Sequence, residues 1–152
     1  MAEPRVTTPS MAGTPGEQAV FVYGSLKRDQ PNHHWLEGSS CWGQAQLAGV
    51  ALYDLGPFPM AVAVAPGAGA TPLLQGELYG VDGATLARLD RLEGSPRLFQ
   101  RHWLVLLDGS SAWVYLGRAS QVRHSAPIST GRWQGPSQPR WRRPETRLER
   151  MR

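Results

Sequence analysis

The chain has 152 residues, of which 41% are hydrophobic and 18% charged; this balance suits one globular domain with its own core and excludes a chain disordered throughout. No apolar run approaches the ~18 residues that a membrane helix needs, and the lone Cys41 excludes an intramolecular disulfide or a cysteine-built metal site. The net charge of +4 belongs to one end: residues 131–152 carry seven arginines against Glu145 and Glu149, while residues 1–130 hold nine basic and ten acidic groups.

Met1 to Gln18 is rich in Pro, Thr, Gly and Ala and lacks the apolar stretch of a signal peptide, so residues 1–18 read as a flexible arm. Met11 is an alternative start. With a single cysteine, the expected compartment is the reducing cytoplasm.

Ala19-Val-Phe-Val-Tyr23 is a β-rich apolar run that breaks at Gly24, a buried strand entering a turn. Pro31 to Glu37 suits one or two helical turns with Pro31 near the start. Strand-like segments follow near residues 41–54 and 58–65, interrupted by Gly56-Pro57 and ended by Pro66-Gly67. Leu73 to Val81 is a further strand. Asp82 then offers an N-cap, and Leu86, Leu89 and Leu92 fall on one helix face. Gly94 and Pro96 stop that helix. Arg101 to Leu107 and Ser111 to Leu116 flank Asp108-Gly109, a hairpin signal. There is no internal repeat. After Gln121 the periodicity ends, and Pro127, Pro136, Pro139 and Pro144 describe a loose tail over residues 121–152. The body, residues 19–120, is expected to be α+β: a small mixed, barrel-like sheet with a few short helices.

Two places carry chemistry. At Tyr23-Gly24-Ser25-Leu26 a strand ends in a turn whose successive backbone amides can hold a carboxylate or an oxyanion. Gly24 permits close approach, and Tyr23 supplies an aromatic wall with a polar tip; the competing reading is an ordinary turn. The second place is Glu93, a carboxylate at the C-terminal end of the predicted helix, where the dipole disfavours it by up to about 1 kcal/mol. A local rule broken without visible compensation marks a functional candidate. The competing reading is a surface glutamate paired with Arg91 or Arg97.

Phe21-Val-Tyr-Gly-Ser-Leu-Lys-Arg28 with Gln30-Pro-Asn-His33 resembles the opening motif of the γ-glutamylcyclotransferase-like superfamily, most closely its γ-glutamylamine cyclotransferase and avirulence-induced-gene-like branch. The resemblance continues through Phe58-Pro59, Gly76-Glu-Leu-Tyr79, Leu89-Asp-Arg-Leu-Glu-Gly94, Pro96, Arg101 and Ala112-Trp-Val-Tyr115, in order, over roughly residues 19–116. It implies an intramolecular acyl transfer in which a γ-glutamyl substrate's own α-amine attacks its γ-carbonyl and releases 5-oxoproline and an amine, with no metal or cofactor. Glu93 would be the general acid/base. Tyr23, Gly24, Ser25, Leu26 and Tyr115 would bind substrate, Tyr115 being otherwise a core aromatic. Arg101 would brace the Glu93 loop or cap the surface. His33 and His34 suit surface or capping roles, and Glu77 is a spare carboxylate in mid-strand.

Phe99 stands where relatives often carry Tyr, and Asp29 where Gly is common; both bear on substrate identity. Two alternatives stay open. One is a catalytically silent member that binds a small acidic metabolite in the same pocket. The other is RNA or anionic-surface binding by the Arg-rich tail with Trp133 and Trp141; its competitor is a solubilising tail. No membrane partner is expected.

Overall fold

The computed structural model describes residues 16–136 except Pro66 and Ala68. Among these described residues, eight strands are arranged in two sheets: β1 Gln18–Val22, β2 Ser40–Leu47, β3 Val50–Asp54, β4 Pro59–Ala63, β5 Leu74–Val81, β6 Gln100–Val105, β7 Ser111–Leu116 and β8 Ala126–Pro127. The larger sheet runs β2-β5-β1-β7-β6 and the smaller β4-β3-β8. Both are open: the barrel-like sheet of the sequence reading resolves into two sheets joined by a single bridge between Val62 and Gly117. The mixed α+β class holds, since β1 pairs antiparallel with β5 and parallel with β7.

From Ala19 onward the central β1 is apolar and buried, because it is covered on both faces. Its side chains alternate between two clusters. Phe21 joins Leu47, Leu52, Ala61 and Val114; Val20 and Val22 join Met60, Tyr79, Val81, Leu86 and Leu89. The last two leucines come from α1 (Gly83–Leu92), the α-helix among the described residues, which buries them against that face of the sheet. Asp82 caps α1 as expected, its side chain accepting from the Thr85 amide at 2.8 Å.

The segment read as strand over 41–54 is split at Ala48-Gly49 into β2 and β3, which lie in different sheets. His33–Leu36 is one 3-10 turn that buries Leu36.

The ordered fold also runs past residue 120, where the sequence reading began a tail. A second 3-10 turn, Ala119–Val122, buries Val122. β8 pairs with Tyr53 and Asp54, and the Ile128 amide donates to the Leu52 carbonyl at 2.8 Å. Trp133, 3% exposed, sits in the Phe21 cluster. Sparse apolar residues hide this in the sequence; they work singly, inserted between strands, and not as a periodic face. Trp133 is thus a core residue and not a stacking surface for RNA. Trp141 and the arginines from Arg140 onward lie outside the described residues, as do residues 1–15 of the N-terminal arm.

Trp133→Ala is expected to cost about 3–5 kcal/mol by analogy with other buried aromatics, read as a lower midpoint in urea unfolding. An unchanged midpoint would return this segment to the tail.

Candidate active site

The helix end is built to aim one side chain. Gly94 follows Leu92 and Glu93 with φ +66°, the left-handed conformation that glycine adopts without strain. The Gly94 amide donates to the Arg91 carbonyl at 3.1 Å and the Ser95 amide to the Asp90 carbonyl at 2.9 Å. This paired closure terminates α1 with Glu93 as its cap.

Opposite lies the turn after β1. Lys27 closes it by donating its amide to the Gly24 carbonyl at 3.0 Å. Asn32 braces it twice: its amide reaches the Ser25 carbonyl at 2.8 Å and its side chain the Ser25 hydroxyl at 3.0 Å. Among the described residues, the Ser25 and Leu26 amides have no hydrogen-bond acceptor. Gly24 is needed here because a Cβ would meet the Pro59 ring at 2.7 Å; the close approach that the sequence reading assigned to a ligand belongs to β4.

Between these two elements is a cavity of about 230 Å³. It brings together all six residues singled out from sequence: Tyr23, Gly24, Ser25, Leu26, Glu93 and Tyr115. Leu92, Leu98, Phe58, Phe99, Pro57 and Pro59 supply apolar wall, with the Phe58 and Phe99 rings 5.9 Å apart.

The profile of the family described as Gamma-glutamyl cyclotransferase, AIG2-like, matches residues 20–135. The chain belongs to that family. The Gamma-glutamylcyclotransferase family protein ytfP of Citrobacter rodentium is 37% identical over 114 residues, covering 75% of this chain and 93% of that protein. Gamma-glutamylaminecyclotransferase C of Danio rerio is 41% identical over 91 residues, covering 54% of this chain and 57% of its own. The crystal structure of an AIG2-like protein from Mus musculus superposes with a TM-score of 0.60 at 26% identity, covering 82% of this chain and 97% of that one.

In this γ-glutamylcyclotransferase-like chain Glu93 is half-buried, and burial pushes its carboxyl up to about 7. The surface pairing with Arg91 or Arg97 does not occur: the ion pair among the described residues is Arg101 with Asp90, 3.0 Å apart.

The two tyrosines reach the cavity with their hydroxyls already committed. Tyr23 donates to the Tyr115 carbonyl at 2.6 Å and accepts from the Ala61 amide at 3.0 Å. Tyr115 donates to Asp90 at 2.6 Å. Burial, before any neighbouring charge, pushes both hydroxyls up and keeps them protonated donors. Tyr23 therefore gives the wall of the sequence reading but not the polar tip.

Arg101 grips Asp90 in α1 and lies 4.2 Å over the Trp113 ring, so it braces the helix that carries Glu93 rather than the loop after it. Asp90 and Asn32 were not singled out from sequence, although both stand inside the quoted motifs. Their signal is the short polar side chain fixed beside a site residue.

The remaining candidates fall outside the cavity. His33 contacts the Leu26 carbonyl at 2.9 Å and packs against Tyr79. His34 contacts the Pro31 carbonyl at 3.2 Å. Glu77 accepts from the Arg28 amide at 2.8 Å and the Tyr79 hydroxyl at 2.9 Å. Asp29 adopts φ +73°, which accounts for a glycine preference at that position. Among the described residues no cluster of three or more His, Cys, Asp or Glu could hold a metal, and no helix is long and apolar enough to cross a membrane.

The folded chain holds the Glu93 proton up to about 7, whereas the unfolded chain releases it near 4.5. Its contribution to folding is then greatest below the unfolded value and is lost as pH rises through the folded one. Glu93→Gln is expected to be more stable than wild type at pH 8.5 by about 1–3 kcal/mol, with the gap closing below pH ~5, measured by urea unfolding across pH. Gly24→Ala is expected to cost about 1–3 kcal/mol through the Pro59 contact, by the same measurement.

Proposed function

We propose that this chain catalyses cyclisation of a small γ-glutamyl amide, releasing 5-oxoproline and the free amine, with Glu93 as general acid/base. The observation that carries the reading is the pairing, in one cavity, of a carboxylate with no cationic partner among the described residues and a turn whose Ser25 and Leu26 amides have no acceptor among them.

The substrate carries an α-ammonium with a pKa near 8. Glu93 accepts one of its protons, and the neutral amine attacks the γ-carbonyl carbon of the same molecule. A C–N bond forms, closing a five-membered ring. The bond to the leaving nitrogen then breaks as Glu93 returns the proton. The ring nitrogen sheds its second ammonium proton as the lactam forms, and that proton leaves with the released amine as an ammonium, so atoms and charge balance without water, oxidant or reductant. A base titrating near neutrality both accepts and returns a proton readily. The Ser25 and Leu26 amides receive the substrate's α-carboxylate and fix the chain in the curled geometry that ring closure requires, where positioning removes much of the barrier. Tyr115 acts through its ring as wall, and through Asp90 as a brace on α1. The family name of the relatives supports this chemistry, and the shape of the cavity supports a small substrate.

Purified protein incubated with γ-glutamyl amides and followed by mass spectrometry is expected to release 5-oxoproline. Glu93→Gln, shown folded by circular dichroism, is expected to lose about 10²–10⁴-fold in rate. Wild-type kcat/KM should fall tenfold per pH unit below about 7, where Glu93 becomes protonated. Binding of γ-glutamyl compounds without turnover would move the chain to the catalytically silent reading.

A further inference from the structure

The turn after β1 has hydrogen-bond donors in excess. All four of its carbonyls are taken. Gly24 accepts from the Lys27 amide at 3.0 Å, Ser25 from the Asn32 amide at 2.8 Å, Leu26 from a His33 ring nitrogen at 2.9 Å and Lys27 from the Gln30 amide at 3.0 Å. The Ser25 and Leu26 amides have no acceptor among the described residues, and Gly24, Ser25 and Leu26 all line the cavity. Successive amides left over in this way favour an anion.

Lys27 adds a full charge to the same turn. It is 9% exposed, and no other charged residue among those described is as deeply buried. An ammonium carries three donors. Lys27 places one on the Trp133 carbonyl at 2.8 Å and forms no ion pair among the described residues. Of the charges that act on it, Glu77 favours the ammonium and Arg132 opposes it. The Glu77 carboxylate is itself taken by the Arg28 amide and the Tyr79 hydroxyl. Burying a cation with so little compensation costs stability that an apolar side chain of the same length would not. Lys27 does not line the cavity. Leu26 packs in the Val20 cluster and Trp133 in the Phe21 cluster, so the lysine reaches from the turn to the other face of the sheet.

We infer that Lys27 is a positioning residue for the γ-glutamyl half of the substrate: its ammonium, held behind the turn by the Trp133 carbonyl, gives the Ser25 and Leu26 amides their preference for a carboxylate. The inference rests on the cyclotransferase reading above, in which those amides receive the α-carboxylate. A carboxylate at the turn supplies the negative charge that the buried ammonium lacks, and in a site largely shielded from water that attraction is weakly screened. Lys27 acts through the backbone of the turn and touches no reacting atom.

A carboxylate and its neutral counterpart test this. 5-Oxoproline and 5-oxoprolinamide differ only by a carboxylate against a carboxamide, and calorimetry reads their dissociation constants without turnover. Wild type is expected to bind 5-oxoproline more tightly by about tenfold or more. Lys27→Gln, which keeps a donor, and Lys27→Met, which keeps the stem, are both expected to lose most of that preference by weakening 5-oxoproline alone. Lys27→Arg, which keeps the charge, is expected to retain it. A lysine that only held the fold would weaken both ligands together. Equal affinity of wild type for the pair, equal weakening of both ligands, or a preference unchanged in either variant shown folded by circular dichroism would overturn the inference. The cyclotransferase reading would stand, since release of 5-oxoproline is measured separately. Absence of that release from every γ-glutamyl amide would overturn the cyclotransferase reading and this inference with it.

Discussion

The site depends on one junction between the two sheets, made at Ala61 in β4. Its amide donates to the Tyr23 hydroxyl at 3.0 Å and its carbonyl accepts from the Gly117 amide at 2.9 Å. Tyr23 passes the connection on by donating to the Tyr115 carbonyl in β7. Gly117 has no room for a side chain, since a Cβ would strike the Met60 thioether. This closeness lets the start of β4 lie against the turn after β1, so that Phe58 and Pro59 from one sheet face Glu93 and Phe99 from beyond the other. Buried tyrosine hydroxyls that both donate and accept are costly to leave half-satisfied. The junction is therefore specific in geometry, and the cavity between the sheets inherits that geometry.

Around this cavity the charges are sorted. Asp90 takes Arg101, and Glu77 takes the Arg28 amide and the Tyr79 hydroxyl. Lys27, nearly buried, gives its ammonium to a backbone carbonyl, and burial lowers its pKa. Glu93 is the cavity-lining group that titrates near neutrality, and among the described residues it has no ion-pair partner. An isolated carboxylate in an apolar wall is a stability cost above neutral pH. Glu93 also caps the C-terminal end of α1, where the dipole disfavours negative charge, so two separate local effects weigh against its ionised form.

Much of this was legible in the sequence, for identifiable reasons. β1 announces itself because burial on both faces makes an uninterrupted apolar run. α1 does so because its cap, its leucine spacing and its Gly94 stop agree with one another. Glu93 stood out because it contradicts the helix rule at its own position. Other features depend on contacts distant in sequence. Nothing local shows that Gly24 is needed by Pro59, or that the Tyr23 hydroxyl is spent on residues 38 and 92 positions away. The segment from Val122 to Trp133 was misread because Pro, Ser and Gly dominate it, while its few apolar side chains insert singly into a core built by other elements. The separation into two sheets is invisible for the same reason: pairing partners are chosen by three-dimensional packing and not by periodicity.

The Tyr23 to Lys27 motif shows how a short sequence signature divides its labour. Tyr23 bolts the sheets together, Leu26 is 4% exposed in the Val20 cluster, and Lys27 reaches across to the Trp133 carbonyl at 2.8 Å. The side chains are largely anchors. Tyr23, Gly24, Ser25 and Leu26 nevertheless all line the cavity, and the Ser25 and Leu26 amides have no hydrogen-bond acceptor among the described residues. Backbone donors cannot be specified by residue type, so the sequence specifies them indirectly, by fixing every neighbour that holds the turn in shape. The segment carrying Trp133 is one of those neighbours. The Gln75 amide donates to the Gly131 carbonyl at 2.8 Å, which ties this segment to β5 just before Lys27 binds it. The C-terminal part of the fold thereby bears on the geometry of a turn some hundred residues earlier, while none of its own side chains reaches the cavity.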